Sequence, residues 1–148
     1  MKRALVLLPA LLLAVTSPAR SQDILTRQLD AVQQAISQHG YTPDDEVVFW
    51  GEFFDFLGFL NSGAKVGIGL DLAAGVEYMF AAACDQDCSD LDLLLMDPRG
   101  KTIAEDDLED DVPVLEFTGP SDETYILWIT MYACSAEPCS FAYRVFSR

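Results

Sequence analysis

From Lys65 onward, apolar and polar side chains take turns along the chain, and this alternation constrains the fold more than any other feature. Val66, Ile68, Leu70 and Leu72 alternate with Lys65, Gly67, Gly69 and Asp71. Successive strand residues point to opposite faces, so such a run describes a strand with one buried side. The rhythm returns with Val76, Tyr78, Phe80 and Ala82 against Glu77, Met79 and Ala81, and with Leu91, Leu93 and Leu95 against Asp92, Leu94 and Met96. Phe141, Tyr143 and Val145 alternate in the last run, and Val112 to Thr118 and Thr124 to Ala133 read as further strands. Ala73-Ala74-Gly75 and Asp97-Pro98-Arg99-Gly100 supply turns. Short amphipathic strands in this number hide their apolar sides by stacking two sheets, which predicts an all-β antiparallel sandwich.

Ahead of Lys65 the pattern changes. Leu25, Leu29, Val32 and Ile36 recur at helical spacing, so a helix is expected over Asp23–Gln38. Asp23 or Ser21 is available to cap its start, and Gly40 suits the position just past its end. With barely two heptads, the apolar stripe is expected to pack on the domain body rather than to pair with a partner helix. Thr42-Pro43-Asp44-Asp45 reads as a turn. Val47 to Leu60 is rich in aromatics, and Gly51 and Gly58 within it favour one or two strands over a helix. These aromatics are core material or an exposed stripe; in the second case Trp50, Phe53 and Phe56 are the candidate binding residues.

The beginning of the chain has the order of a secretory signal. Met1-Lys2-Arg3 is positive, Ala4 to Val15 is apolar apart from Pro9, and small residues follow up to Ser21. The apolar run is too short to span a bilayer as a helix, which needs about 20 residues. Cleavage after Ala19 or Ser21 fits, with Ser21 preferred, so the expected organisation is a signal over 1–21, a helix over 22–40 and a sandwich over 41–148. The destination is the periplasm or the medium, with no transmembrane segment in the mature chain. The full chain of 148 residues has 24 Asp plus Glu against 9 Lys plus Arg. Removing the signal takes away Lys2, Arg3 and Arg20 and no acidic residue. A surface so acidic repels polyanions, which excludes sequence-independent nucleic-acid binding.

Export permits disulfides. The four cysteines form two close pairs, Cys84/Cys88 and Cys134/Cys139, each between two apolar runs. Three connectivities are possible in principle. The local one is preferred, with each bridge stapling a hairpin loop, because matching strand ends suit Cα separations of about 5.5 Å. A four-cysteine zinc site is the rival; the intervening loops contain Asp85, Asp87, Glu137 and Pro138 and no glycine, and an oxidising compartment disfavours it.

Between Asp85 and Glu123 stand 14 Asp and Glu residues against only Arg99 and Lys101. Hard oxygen donors concentrated in loops suit calcium. Asp85, Asp87, Asp90, Asp92 and Asp110 are therefore the candidate ligands, although no EF-hand pattern fits: counting from Asp85 puts Asp90 where glycine is needed and Met96 at the final carboxylate. The same residues also serve as a solvated surface that keeps an exported protein soluble.

Catalytic patterns are sparse. His39 is the only histidine, beside Gly40 at the expected helix end, and no Gly-x-Ser-x-Gly, His-Glu-x-x-His or phosphate-binding glycine loop is present. Paired carboxylates acting on an extracellular polymer are the remaining enzymatic route.

Gly75-Val-Glu-Tyr78, then Asp90-Leu-Asp-Leu-Leu-Leu-Met-Asp-Pro-Arg-Gly-Lys-Thr-Ile-Ala104, then Gly119 to Tyr125 form a recognisable order. Over Leu57 to Phe146 the chain resembles the bacterial pre-peptidase C-terminal (PPC) domain. The resemblance implies a compact, jelly-roll-like sandwich, usually a non-catalytic module appended to secreted peptidases and other exported enzymes; the paired cysteines stand outside that family's core pattern. The expectation is therefore a non-enzymatic binding or accessory module for a protein or extracellular polymer, with calcium as a stabiliser. The alternative is a small extracellular hydrolase.

Overall fold

The structure is a computed structural model and describes residues 18–44, 49–50 and 57–148. Most of the expected export signal, and the binding candidates Phe53 and Phe56, lie outside these residues. One helix, α1 (Pro18–Ser37), precedes β1 (Thr42–Pro43), β2 (Phe49–Trp50), β3 (Leu57–Leu60), β4 (Lys65–Leu72), β5 (Glu77–Cys84), β6 (Cys88–Met96), β7 (Thr102–Asp106), β8 (Val114–Thr118), β9 (Glu123–Cys134) and β10 (Cys139–Ser147).

The strands form two antiparallel sheets. In the first, β8, β5 and β10 lie in that order, and β1 and β3 share the far side of β10. The second runs β2-β4-β9-β6-β7. The alternating apolar residues meet between them: Leu70 and Leu72, Phe80 and Ala82, Leu91, Leu93 and Leu95, Leu127, Ile129 and Met131, and Val145 are all buried in one core. This is the sandwich that the period-two pattern demands, because each sheet removes its apolar side from water only against the other.

The chain changes sheet at nearly every step. Among the described strands only β6 and β7 are sequence neighbours paired as a hairpin, across the turn in which Asp97 Oδ1 accepts from the backbone N–H groups of Arg99 and Lys101 at 2.9 and 2.8 Å. The disulfides are Cys84–Cys88 and Cys134–Cys139, both with Cα atoms 5.8 Å apart. The expected pairing is present, but the hairpin geometry is not. Cys84 ends β5 in the first sheet and Cys88 begins β6 in the second; Cys134 ends β9 in the second and Cys139 begins β10 in the first. Each bridge therefore closes an arch between the sheets, since a short connection can as well cross between layers as reverse within one.

The two arches lie side by side and are laced together. Asp85, buried, accepts from Ser140 N at 2.7 Å through Oδ2, and the Asp87 carbonyl accepts from Ser135 N at 2.7 Å and Ser135 Oγ at 2.8 Å.

Helix α1 lies on the outward side of the first sheet. Leu25, Leu29 and Ile36 are buried with Met79, Ala81 and Ala83 of β5 and Ala142 and Phe146 of β10, with Val32 half-buried beside them. The alanines of β5 let the helix come close, so β5 is covered on both sides rather than alternating between core and solvent. Arg144 straps the two elements, donating from Nη1 to Asp30 Oδ1 at 3.0 Å and to Gln33 Oε1 at 2.7 Å. The helix begins at Pro18, so Asp23 lies inside it and pairs with Arg27 one turn on instead of capping. At the other end Gly40 has a φ of +88°, the left-handed geometry of a residue just past a helix, and its N–H donates to the Ser37 carbonyl. Thr42–Pro43, expected as a turn, pairs with Ser147 and Phe146 of β10.

Candidate binding face

The outward side of the second sheet is built from the positions that alternate with its core residues. In β9 Tyr125, Leu127, Ile129 and Met131 are buried, so Ile126, Trp128, Thr130 and Tyr132 stand on the other side. In β6 the same alternation turns Asp92, Leu94 and Met96 outward. Strand register then sets neighbours in rows. Gly67, Trp128, Leu94 and Glu105 form one row across β4, β9, β6 and β7; Gly69, Ile126, Met96 and Thr102 form the next; Lys65, Thr130 and Asp92 form a third.

Trp128 occupies the centre. A Cβ at Gly67 would lie 3.1 Å from its ring, so glycine at that register position is what lets the indole lie down on β4. The Lys65 ammonium sits over the same ring, 4.7 Å from its centroid, in a cation–π contact. Ile126 is 36% exposed and Tyr132 63% exposed. Trp50 of β2 pairs with Gly69 at the edge of these rows. It is the one binding candidate from the Trp50–Phe56 stretch that falls within the described residues.

On the β6–β7 side this apolar centre has an acidic border, opposite Lys65 on β4. Glu105 closes the Trp128 row, and Asp92 stands beside it. Asp92 is half-buried. Loss of hydration raises its carboxyl to about 6, with further upward pressure from Asp90, Asp107, Asp106 and Asp110. Burial raises Asp90 too, helped by Glu109 and Asp110.

Of the calcium candidates, Asp90, Asp92 and Asp110 are thus brought into electrostatic reach of one another. Asp85 is engaged in the arches, where its Oδ1 accepts from Asp87 N at 3.3 Å in addition to the Ser140 contact. Asp87 joins the same lacing through its backbone, and Asp110 Oδ1 accepts from Val112 N at 3.0 Å. Among the described residues no group of three or more His, Cys, Asp or Glu side chains is arranged to hold a metal ion. Asp106, counted with the loop carboxylates in the sequence, lies at the end of β7 and accepts from Val114 N at 2.8 Å, tying that edge to β8.

No protein-family model and no curated protein matches this chain.

A concavity of 310 Å³ lies at the turn end of the sandwich, lined by Ile103, Phe117 and Tyr125 and edged by Asp97, Arg99 and Glu123. It brings together two carboxylates, but Asp97 holds the β6–β7 turn. His39 lies in the exposed turn after α1, where its carbonyl accepts from Arg148 Nη1 at 2.8 Å.

The sequence points to Trp50, Phe53 and Phe56 as a binding surface and does not single out the Trp128 rows. A signal was available: β9 is apolar in both phases over Tyr125–Ile129, more than a strand with one wet side requires.

Proposed function

We propose that this is an exported, non-catalytic binding module that presents the outward side of its second sheet to a partner. The observation that carries this reading is the contrast between its two outward sides: α1 seals one with apolar contacts, whereas the other keeps Trp128, Ile126, Leu94 and Tyr132 at its surface. Apolar side chains clustered inside a polar rim are the anatomy of a recognition surface. Two disulfides fit an oxidising compartment, and among the described residues no helix is long and apolar enough to cross a membrane. Export through the Met1–Ser21 signal and the accessory role implied by the PPC-like order of strands and turns agree with this reading.

A photo-crosslinking residue placed at Tyr132 should give adducts with material from the exported fraction. The same residue at Glu116, outside the face, should give none. Equal labelling at both positions would remove the face from consideration. N-terminal sequencing of exported protein should begin at Gln22, and recovery of an intact Met1 terminus would overturn cleavage. A hydrolase centred on Asp97 and Glu123 remains the rival; turnover of an extracellular polymer abolished by Glu123→Gln would support it instead.

A further inference from the structure

Resting on that reading, we infer that the face is matched to a cationic protein segment, one that sets a basic side chain over Trp128 and an apolar residue on Leu94 and Ile126. Charge complementarity makes the choice. The rows around Trp128 end in Glu105 and Asp92, Asp90 and Asp107 stand near Asp92, and the cation on these rows is Lys65. Lys65 already shows what the ring accepts, for its ammonium sits 4.7 Å from the Trp128 centroid. An incoming Arg or Lys can take that position over β4 while a second basic residue of the same segment meets Asp92 and Glu105, two and three strands away on β6 and β7, and Lys65 is then a competitor supplied by the protein itself.

A second copy of the chain fits poorly. The chain as a whole carries a formal charge of −15, so two copies brought face to face repel one another. A neutral polysaccharide would use the indole but would have no use for the acidic rim.

The test uses the oxidised protein and three probes: a short Arg- and Lys-rich peptide containing one Leu, its Glu-for-Arg/Lys counterpart, and cellohexaose. Backbone amide shifts map the site. The basic peptide should move the amides of β9 and β6 around Trp128, with affinity falling as salt rises from about 20 to about 200 mM. Trp128→Ala should weaken it roughly tenfold. The paired change Asp92→Asn and Glu105→Gln, which deletes no packing atoms, should do so by a similar ~10-fold factor. Lys65→Ala should tighten it by about threefold, because it uncovers the ring and removes a repelling charge. Glu116→Gln with Asp23→Asn, elsewhere on an equally acidic protein, should leave binding within about twofold.

Weakening by the control pair as large as by the rim pair would reduce the interaction to diffuse charge and overturn the proposal. Weakening by Lys65→Ala would also overturn it. If cellohexaose moves the Trp128 rows and the basic peptide does not, the face survives as a binding surface and the cationic partner falls. If the peptide binds elsewhere and cellohexaose leaves these rows unmoved, both readings fall.

Discussion

The two outward sides of this sandwich begin from similar material and end in opposite states. On the first sheet, Met79, Ala81, Ala83, Ala142 and Phe146 offer a surface on which α1 lays Leu25, Leu29 and Ile36. On the second sheet, Leu94, Met96, Ile126 and Trp128 offer comparable apolar surface, with Ile126 and Tyr132 exposed and the others half-buried. Size and charge mark the difference. The covered side is built from alanines that admit a helix backbone. The other is centred on an indole and bordered by Asp92 and Glu105. Apolar area alone does not tell an internal contact from an external one; what borders it is more informative.

The comparison breaks most readily at Leu29, which is 3% exposed beneath the helix. Leu29→Ala should cost about 3 kcal/mol, because it deletes buried methyls and leaves a cavity that a helix strapped by Arg144 cannot fully collapse. Ile126→Ala on the opposite side should cost about 0.5 kcal/mol, since water already reaches that side chain. Chemical denaturation of the two variants measures the contrast. Equal losses would mean that both sides are structural and that the second sheet is not held open for a partner.

Trp128 lies between those extremes. Trp128→Ala should lower stability by about 1 kcal/mol, through lost contact with Gly67 and the lost Lys65 cation–π pair. If Trp128→Ala destabilises as much as Leu29→Ala, the indole is a core residue displaced to the surface rather than a recognition element.

Legibility in the sequence follows the same division. The stripe Leu25, Leu29, Val32 and Ile36 and the alternation from Lys65 predicted the helix and the two-sheet sandwich, because periodicity reports burial directly. Strand β5 was harder. Its alternation sets Glu77, Met79 and Ala81 on the side away from the core, and alanine suits either a wet face or a closely packed helix. The arches were hidden for another reason: loops of three or four residues between cysteines look alike whether they fold back within a sheet or cross to the next one. Strand β7 was missed because Thr102-Ile-Ala-Glu-Asp106 runs straight into an acidic stretch that reads as loop. The outward face of the second sheet required pair register. Only the alignment of Gly67, Trp128, Leu94 and Glu105 across four strands turns separated residues into one row.

Asp92 allows the rim to be examined by pH. Its carboxyl titrates at about 6 in the folded chain, above its ordinary value, so the folded state binds that proton more tightly than the unfolded state. The resulting stabilisation is present at pH below about 4 and is lost as pH rises through about 6. Asp92→Asn should therefore be more stable than the parent at pH 7.5, by about 1 kcal/mol once solvent screening is allowed for, and indistinguishable from it near pH 4. Urea melts at the two pH values check this. A variant no more stable at pH 7.5 would mean that neither burial nor the neighbouring carboxylates penalise the Asp92 charge, and that a cation arriving there would relieve nothing.

Calcium should have the smallest effect, and it separates an electrostatic rim from a built metal site. A site with micromolar affinity for the folded chain would gain about 4 kcal/mol at millimolar calcium by mass action. Here Asp85 and Asp110 already accept backbone N–H groups, which leaves Asp90, Asp92 and Asp107 as mutually repelling neighbours. Divalent ions should relieve that repulsion without a dedicated coordination shell. We expect millimolar calcium to raise the melting midpoint by about 1 °C, with magnesium doing the same and Asp92→Asn removing most of the response. An upward shift of several degrees specific to calcium would assign these carboxylates to a resident ion. The rim of the second sheet would then be neutralised before any partner arrived, and the two outward sides would differ in packing alone.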